Sequence, residues 1–73
     1  MRDYKSNAMR EVLRINIRRH RERRGLSQQD LADELEIDVS GICNLENGRR
    51  ELRATELPIL ATLFGIEIGE LFR

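Results

Sequence analysis

The chain has no tryptophan, one tyrosine and two phenylalanines among its 73 residues, one proline, one cysteine, and no net charge at neutral pH. Each scarcity removes a class of protein. A lone Cys43 cannot close an internal disulfide, and no group of Cys and His residues has metal-ligand spacing, so a disulfide scaffold and a zinc module are both set aside. The longest charge-free run, Leu57 to Ile66, is ten residues, well short of the roughly 18 that suggest a membrane span. Nothing has the shape of a signal peptide, and the cytoplasm is the expected compartment. Catalysis has little to draw on: one His and one Cys lie 23 positions apart, no Gly-rich phosphate loop occurs, and the carboxylates are scattered. We expect no enzyme, no cofactor and no metal.

What the chain does have is 40% hydrophobic and 36% charged residues, the composition of a small folded, helix-rich, all-α domain. Its size allows one domain, whose core rarely supplies more than about 3 to 5 kcal/mol. Residues 1–8 are left out of that domain, because Ser6, Asn7 and Ala8 ahead of Met9 look like a remnant of tag removal or, failing that, a polar terminal arm. Residues 9–73 are the expected domain. Zero net charge conceals a division: residues 1–24 carry nine Lys or Arg against three acids, and residues 25–73 carry four Arg against ten acids. A polyanion responds to the local field of a face, so net neutrality does not exclude nucleic acid.

Periodicity gives the helices. Met9, Leu13, Ile17, His20 and Arg24 fall at four- and three-residue spacings on one helical stripe that Gly25 ends. Arg14, Arg18 and Arg21 form a second stripe, read either as a solvated charged face or as a set of phosphate contacts. Ser27 with Asp30 three residues on is a capping-box pattern, opening a second helix over Gln28 to Leu35 with Leu31 and Leu35 inward. Asp38, after a turn of about three residues, caps a third helix. On that helix Ile42 and Leu45 share one side, while Val39, Ser40, Cys43, Asn44 and Asn47 share the other. The second arc is small and uncharged, with amide, hydroxyl and methyl groups suited to base edges; the other reading is a face packed on another subunit. Thr55 caps a fourth helix with Pro58 in its first turn and Leu57, Leu60, Ala61 and Phe64 on its apolar face. Gly65 closes it, and Ile66, Ile68, Leu71 and Phe72 form a short last element with more apolar surface than it can bury, which predicts a weak homodimer contact there. His20 reads as a packing residue and Cys43 as no redox switch, since no resolving cysteine or nearby cation accompanies it.

With Arg21, "GLSQQDLA" at 25–32, "SGICNLENGRR" at 40–50 and "LPILATLFGIEIGELF" at 57–72 in this order, the chain resembles the phage repressor and Cro-like helix-turn-helix family, often called Xre. The resemblance implies a compact five-helix, lambda-repressor-like DNA-binding domain with helices 2 and 3 as the helix-turn-helix. It implies two copies on a pseudo-palindromic operator with half-sites about 34 Å apart. It assigns base reading to Val39, Ser40 and Asn44, phosphate contact to Gln28 and to the loop with Arg49 and Arg50, and a structural salt bridge to Arg21 and Glu46. Arg18 and Asn47, on the two flanking stripes, join the phosphate set. The function implied is a sequence-specific regulator of transcription, a repressor in the commoner case, of a prokaryotic or phage-type cell and nucleoid-associated when bound.

Three positions depart from the family pattern. Glu36 stands where the turn usually has Gly, in a conformation of positive φ. Gly41 interrupts the reading helix at a cost of about 1 kcal/mol relative to Ala. The reading arc lacks Arg and Gln, so phosphates are expected to supply much of the affinity. The rival reading is a protein-interaction module, antitoxin-like or adaptor, whose acidic half docks on a basic partner. A restriction-modification controller would share the DNA mechanism. No small-molecule ligand or membrane is implied, and with the sequence ending soon after the last element no ligand-binding second domain is expected.

Overall fold

The computed structural model describes residues 7–73. It contains, among them, four α-helices, α1 Asn7–Arg23, α2 Gln28–Leu35, α3 Val39–Glu46 and α4 Glu56–Phe64, followed by a 3-10 helix at Ile68–Phe72. The expected fifth α-helix is thus corrected to a 3-10 turn. The segment is five residues long and includes Gly69, and a run that short with a glycine inside it gains little from α-helical propagation. The first helix begins at Asn7, so Asn7 and Ala8 of the supposed arm are helical, and its residues 1–6 lie outside the described residues. No helix among the described residues is long and apolar enough to cross a membrane.

The α2 N-terminus forms as its sequence requires: Asp30 N–H donates to Ser27 Oγ at 3.0 Å and Ser27 N–H to Asp30 Oδ2 at 2.8 Å, satisfying two amides reciprocally. Neither of the other two expected caps works through its side chain. Asp38 occupies the N-cap of α3 in an extended conformation but makes no capping bond. Thr55 is itself in helical geometry, and the chain turns earlier. Glu56 N–H bonds to Arg53 C=O, Leu57 N–H to Ala54 C=O, and Arg53 N–H donates to Glu56 Oε1. The glutamate at the third position therefore caps the start from inside, as one half of a capping box.

Three helices end alike. Leu26 N–H reaches Arg21 C=O, Ile37 N–H reaches Ala32 C=O and Ile66 N–H reaches Ala61 C=O, each at 3.0 Å. In each case the residue just before is left-handed: Gly25, Glu36 and Gly65. This geometry satisfies the last carbonyls and suits glycine. Glu36, at φ 58°, is the sole non-glycine with positive φ among the described residues.

The core gathers Ile17 from α1, Leu31, Ala32 and Leu35 from α2, Ile42 and Leu45 from α3, Leu60 and Phe64 from α4 and Leu71 from the 3-10 helix. Leu13 and Leu57 pack against it half-buried. His20 stacks on Phe64 with ring centroids 5.6 Å apart, closing the α1–α4 side. Asn16 is buried beside Ile17 and donates to Leu71 C=O at 2.9 Å and Arg73 C=O at 2.8 Å. One amide thus anchors the 3-10 helix to α1, and the Leu71 carbonyl it binds would otherwise go unpaired in a buried position.

Glu36→Gly is expected to stabilise the fold by about 1 kcal/mol, because the left-handed conformation disfavours any residue with a Cβ. Urea midpoints of the two proteins measure this, and an unchanged or lower midpoint would show that the Glu36 side chain compensates.

Candidate nucleic-acid interface

Helices α2 and α3 are separated by three residues, Glu36, Ile37 and Asp38, and pack closely through Leu31, Leu35, Ile42 and Leu45. Gly41 makes part of this possible. A Cβ built there would lie 3.0 Å from Ile37 Cδ1, so the glycine admits the turn's isoleucine against α3. With Ile42, Leu45 and Glu46 buried, the opposite arc faces outward: Val39, Ser40, Cys43 and Asn47 are exposed and Asn44 is half-buried. Asn47 Nδ2 donates to Cys43 Sγ at 3.4 Å. Apart from the buried Glu46, α3 carries no charged side chain.

One carboxylate locks this helix from behind. Glu46, whose side chain is 3% exposed, accepts Arg21 Nε at 2.7 Å and Arg21 Nη2 at 3.2 Å, and its Oε1 also accepts Gln28 Nε2 at 3.0 Å. Arg21 Nη1 continues to Leu26 C=O at 2.9 Å. Helices α1, α2 and α3 and the α1–α2 turn therefore converge on a single anion. The hydrogen bond to Glu46 and its negative charge raise the Arg21 pKa above its ordinary value against the opposing effect of burial. Removing one member of such a pair leaves a buried charge and costs about 3 to 5 kcal/mol.

A second bridge holds the loop after α3. Arg50 donates Nη1 to Glu56 Oε1 at 3.1 Å and Nη2 to Glu56 Oε2 at 2.8 Å, a bidentate pair with the carboxylate almost fully buried. The hydrogen bonds from Arg50 lower the Glu56 pKa, burial opposes them, and Arg53 N–H adds to the lowering.

A helix-turn-helix family model matches residues 17–71. The chain belongs to the Xre/Cro-like helix-turn-helix family. It is also similar in structure to a hypothetical transcription factor, NHTF from Neisseria, with a TM-score of 0.79 and 25% identity over all of this chain and 82% of that one. No curated protein sequence matches it.

Within this family fold, the residues singled out from sequence separate into two groups. Val39, Ser40, Asn44, Asn47 and Arg49 lie on α3 or just after it, exposed except for the half-buried Asn44. The Arg49 side chain makes no hydrogen bond or ion pair among the described residues. Arg18 is exposed on α1 and pairs with Glu22 one turn away at 3.2 Å. Gln28 and Arg50 were both expected on phosphate, but the structure turns the Gln28 amide to Glu46 and the Arg50 guanidinium to Glu56, because each buried carboxylate demands donors. Leu71, expected at a dimer contact, has no exposed surface and is corrected to a core residue, whereas Ile66 is half-buried and Ile68 and Phe72 are exposed. Sequence reasoning missed the Arg50–Glu56 bridge, since a six-residue separation across a loop has no helical signature. It also missed Asn16, a polar residue beside the apolar stripe.

Arg50→Met is expected to destabilise the protein at neutral pH by about 3 kcal/mol, by stranding Glu56. A carboxyl whose native pKa lies below its ordinary value of 4.5 stabilises the fold above that value and ceases to do so as pH falls through the lower one. Urea midpoints measured from pH 7 downward should therefore fall less steeply below pH 4.5 in the variant, and parallel acid limbs would remove the bridge from this account.

Proposed function

We propose that this protein is a DNA-binding transcription regulator that lays α3 in the major groove of a pseudo-palindromic operator, acting as a repressor by occupying the promoter. The observation that carries the reading is the neutral outward arc of α3, held in place by a buried anion and flanked by the unpaired Arg49. Asn44 has the bidentate amide that matches adenine, Ser40 donates or accepts at a base edge, and the Val39 methyls suit thymine. Arg49, Asn47, Arg18 and the first amides of α2 neutralise and bind the neighbouring phosphates. Catalysis plays no part in this mechanism.

A homodimer would supply the second half-site. Its support is the exposed apolar side chains carried by two elements that pack together: Val12 and Ile15 on α1, Ile68 and Phe72 on the 3-10 helix. Phe72→Glu should lower the sedimentation mass at micromolar concentration and abolish cooperative operator binding. A mass and cooperativity equal to the wild type would place the dimer elsewhere.

Selection from a random duplex pool tests the DNA reading. A palindromic site should emerge, with Asn44→Ala relaxing one base position at a cost of about 1 to 3 kcal/mol, and Arg49→Ala reducing the slope of log affinity against log salt by about one. Uniform weak binding to every duplex, with tight salt-sensitive binding of a basic protein, would instead favour an interaction module that uses the acidic half.

A further inference from the structure

The end of α3 shows how its carbonyl groups are satisfied, and one of them is exceptional. A helix leaves its last four C=O groups without internal partners. Here Cys43 C=O accepts Asn47 N–H at 3.0 Å, Asn44 C=O accepts Arg49 N–H at 2.7 Å and Arg50 N–H at 3.2 Å, and Leu45 C=O accepts Gly48 N–H at 3.2 Å. The following turn thus covers three. The fourth, Glu46 C=O, accepts Arg14 Nη1 from α1 at 2.9 Å.

Arg14 touches the turn as well as the helix. A Cβ built on Gly48, which has φ +79°, would meet Arg14 Cδ and Nε, each at 3.4 Å, so the arginine stem lies along the turn that leads into Arg49. Glu11, one turn back on α1, accepts Arg14 Nε and Nη2 and fixes the guanidinium in this orientation. A cation at this place also complements the negative end of the α3 dipole, and α3 has no basic residue in its own last turn.

We propose that Arg14 is a positioning residue for DNA recognition: it seats the C-terminal end of α3 and the Gly48 turn, and through them sets where Asn44 and Arg49 meet the duplex. This rests on the DNA-binding reading above and adds to it a residue seven positions before the Arg21 of the structural bridge. The two arginines hold the same end of α3, Arg21 through the Glu46 carboxylate and Arg14 through its carbonyl.

The test compares wild type with Arg14→Met, which keeps an apolar stem and removes the donor, and Arg14→Lys, which restores a donor of similar reach. In the free protein, amide exchange at Gly48 and Arg49 should quicken about tenfold in Arg14→Met, the effect of losing a hydrogen bond from a charged group, and recover in part in Arg14→Lys. On the selected operator, Arg14→Met should weaken binding about tenfold with an unchanged salt slope, because the phosphate contacts are misplaced rather than removed. Combined with Arg49→Ala, its effect should be less than additive. Unchanged exchange at Gly48 and Arg49 overturns the proposal, and a salt slope reduced by about one with unchanged exchange overturns it in favour of a direct phosphate contact. If wild type selects no site, the DNA reading fails and the role in recognition with it, while the exchange data still decide whether Arg14 holds the turn.

Discussion

The fold depends on a carboxylate placed where water does not reach. Glu46 ends α3 inside the protein, and a buried anion is tolerable only when donors surround it. Arg21 and Gln28 provide them from α1 and α2, so the requirement to neutralise one charge fixes the relative position of three helices. Apolar packing among Ile17, Leu31, Ile42 and Leu45 supplies the larger share of stability, but it is non-directional. The ion pair adds direction: it determines which face of α3 is inward and therefore which face remains outward.

The arginines of this chain divide by task. Arg21 and Arg50 each satisfy a buried glutamate, Arg14 a helix-end carbonyl, and Arg18 a neighbouring glutamate on α1. Arg49 has none of these duties. Zero net charge does not preclude a polyanion at one face: Glu46 and Glu56 are held in internal bridges, and Arg49, one of several arginines whose side chains have no partner among the described residues, lies next to the neutral arc. Gln28 illustrates the same competition from the other side, its amide taken by Glu46.

Much of this was legible beforehand, for physical reasons that differ by element. The α2 start was readable because a capping box is local, four residues of sequence making both bonds. The left-handed turn at Glu36 was suggested by the family resemblance alone, which places a glycine there; the glutamate itself gave no sign that it would adopt φ 58°. The start of α4 was misread: Thr55 is a good capping residue by type, yet Arg53 N–H donates to Glu56, a buried carboxylate whose partner Arg50 lies across a loop. The last element was misread in form and Leu71 in role, since an apolar spacing cannot show whether Leu71 turns to a partner or to its own core. Asn16 was overlooked for a related reason: the carbonyls it serves are more than fifty residues away. Of the long-range polar pairs, Arg21 with Glu46 was anticipated through the family resemblance alone, and those of Arg50 and Asn16 were not visible.

The outward arc of α3 has a further consequence. Val39, Ser40, Cys43 and Asn47 are exposed, while the residues that secure the helix, Ile42, Leu45 and Glu46, lie on the other side. Exposed substitutions away from caps and bridges usually change stability by no more than about 0.5 kcal/mol. Asn47 is the C-cap of α3, but the chemistry presented at Val39, Ser40 and Cys43 can drift while the scaffold beneath stays intact. The outward chemistry of α3 can thus change one residue at a time at little cost to folding.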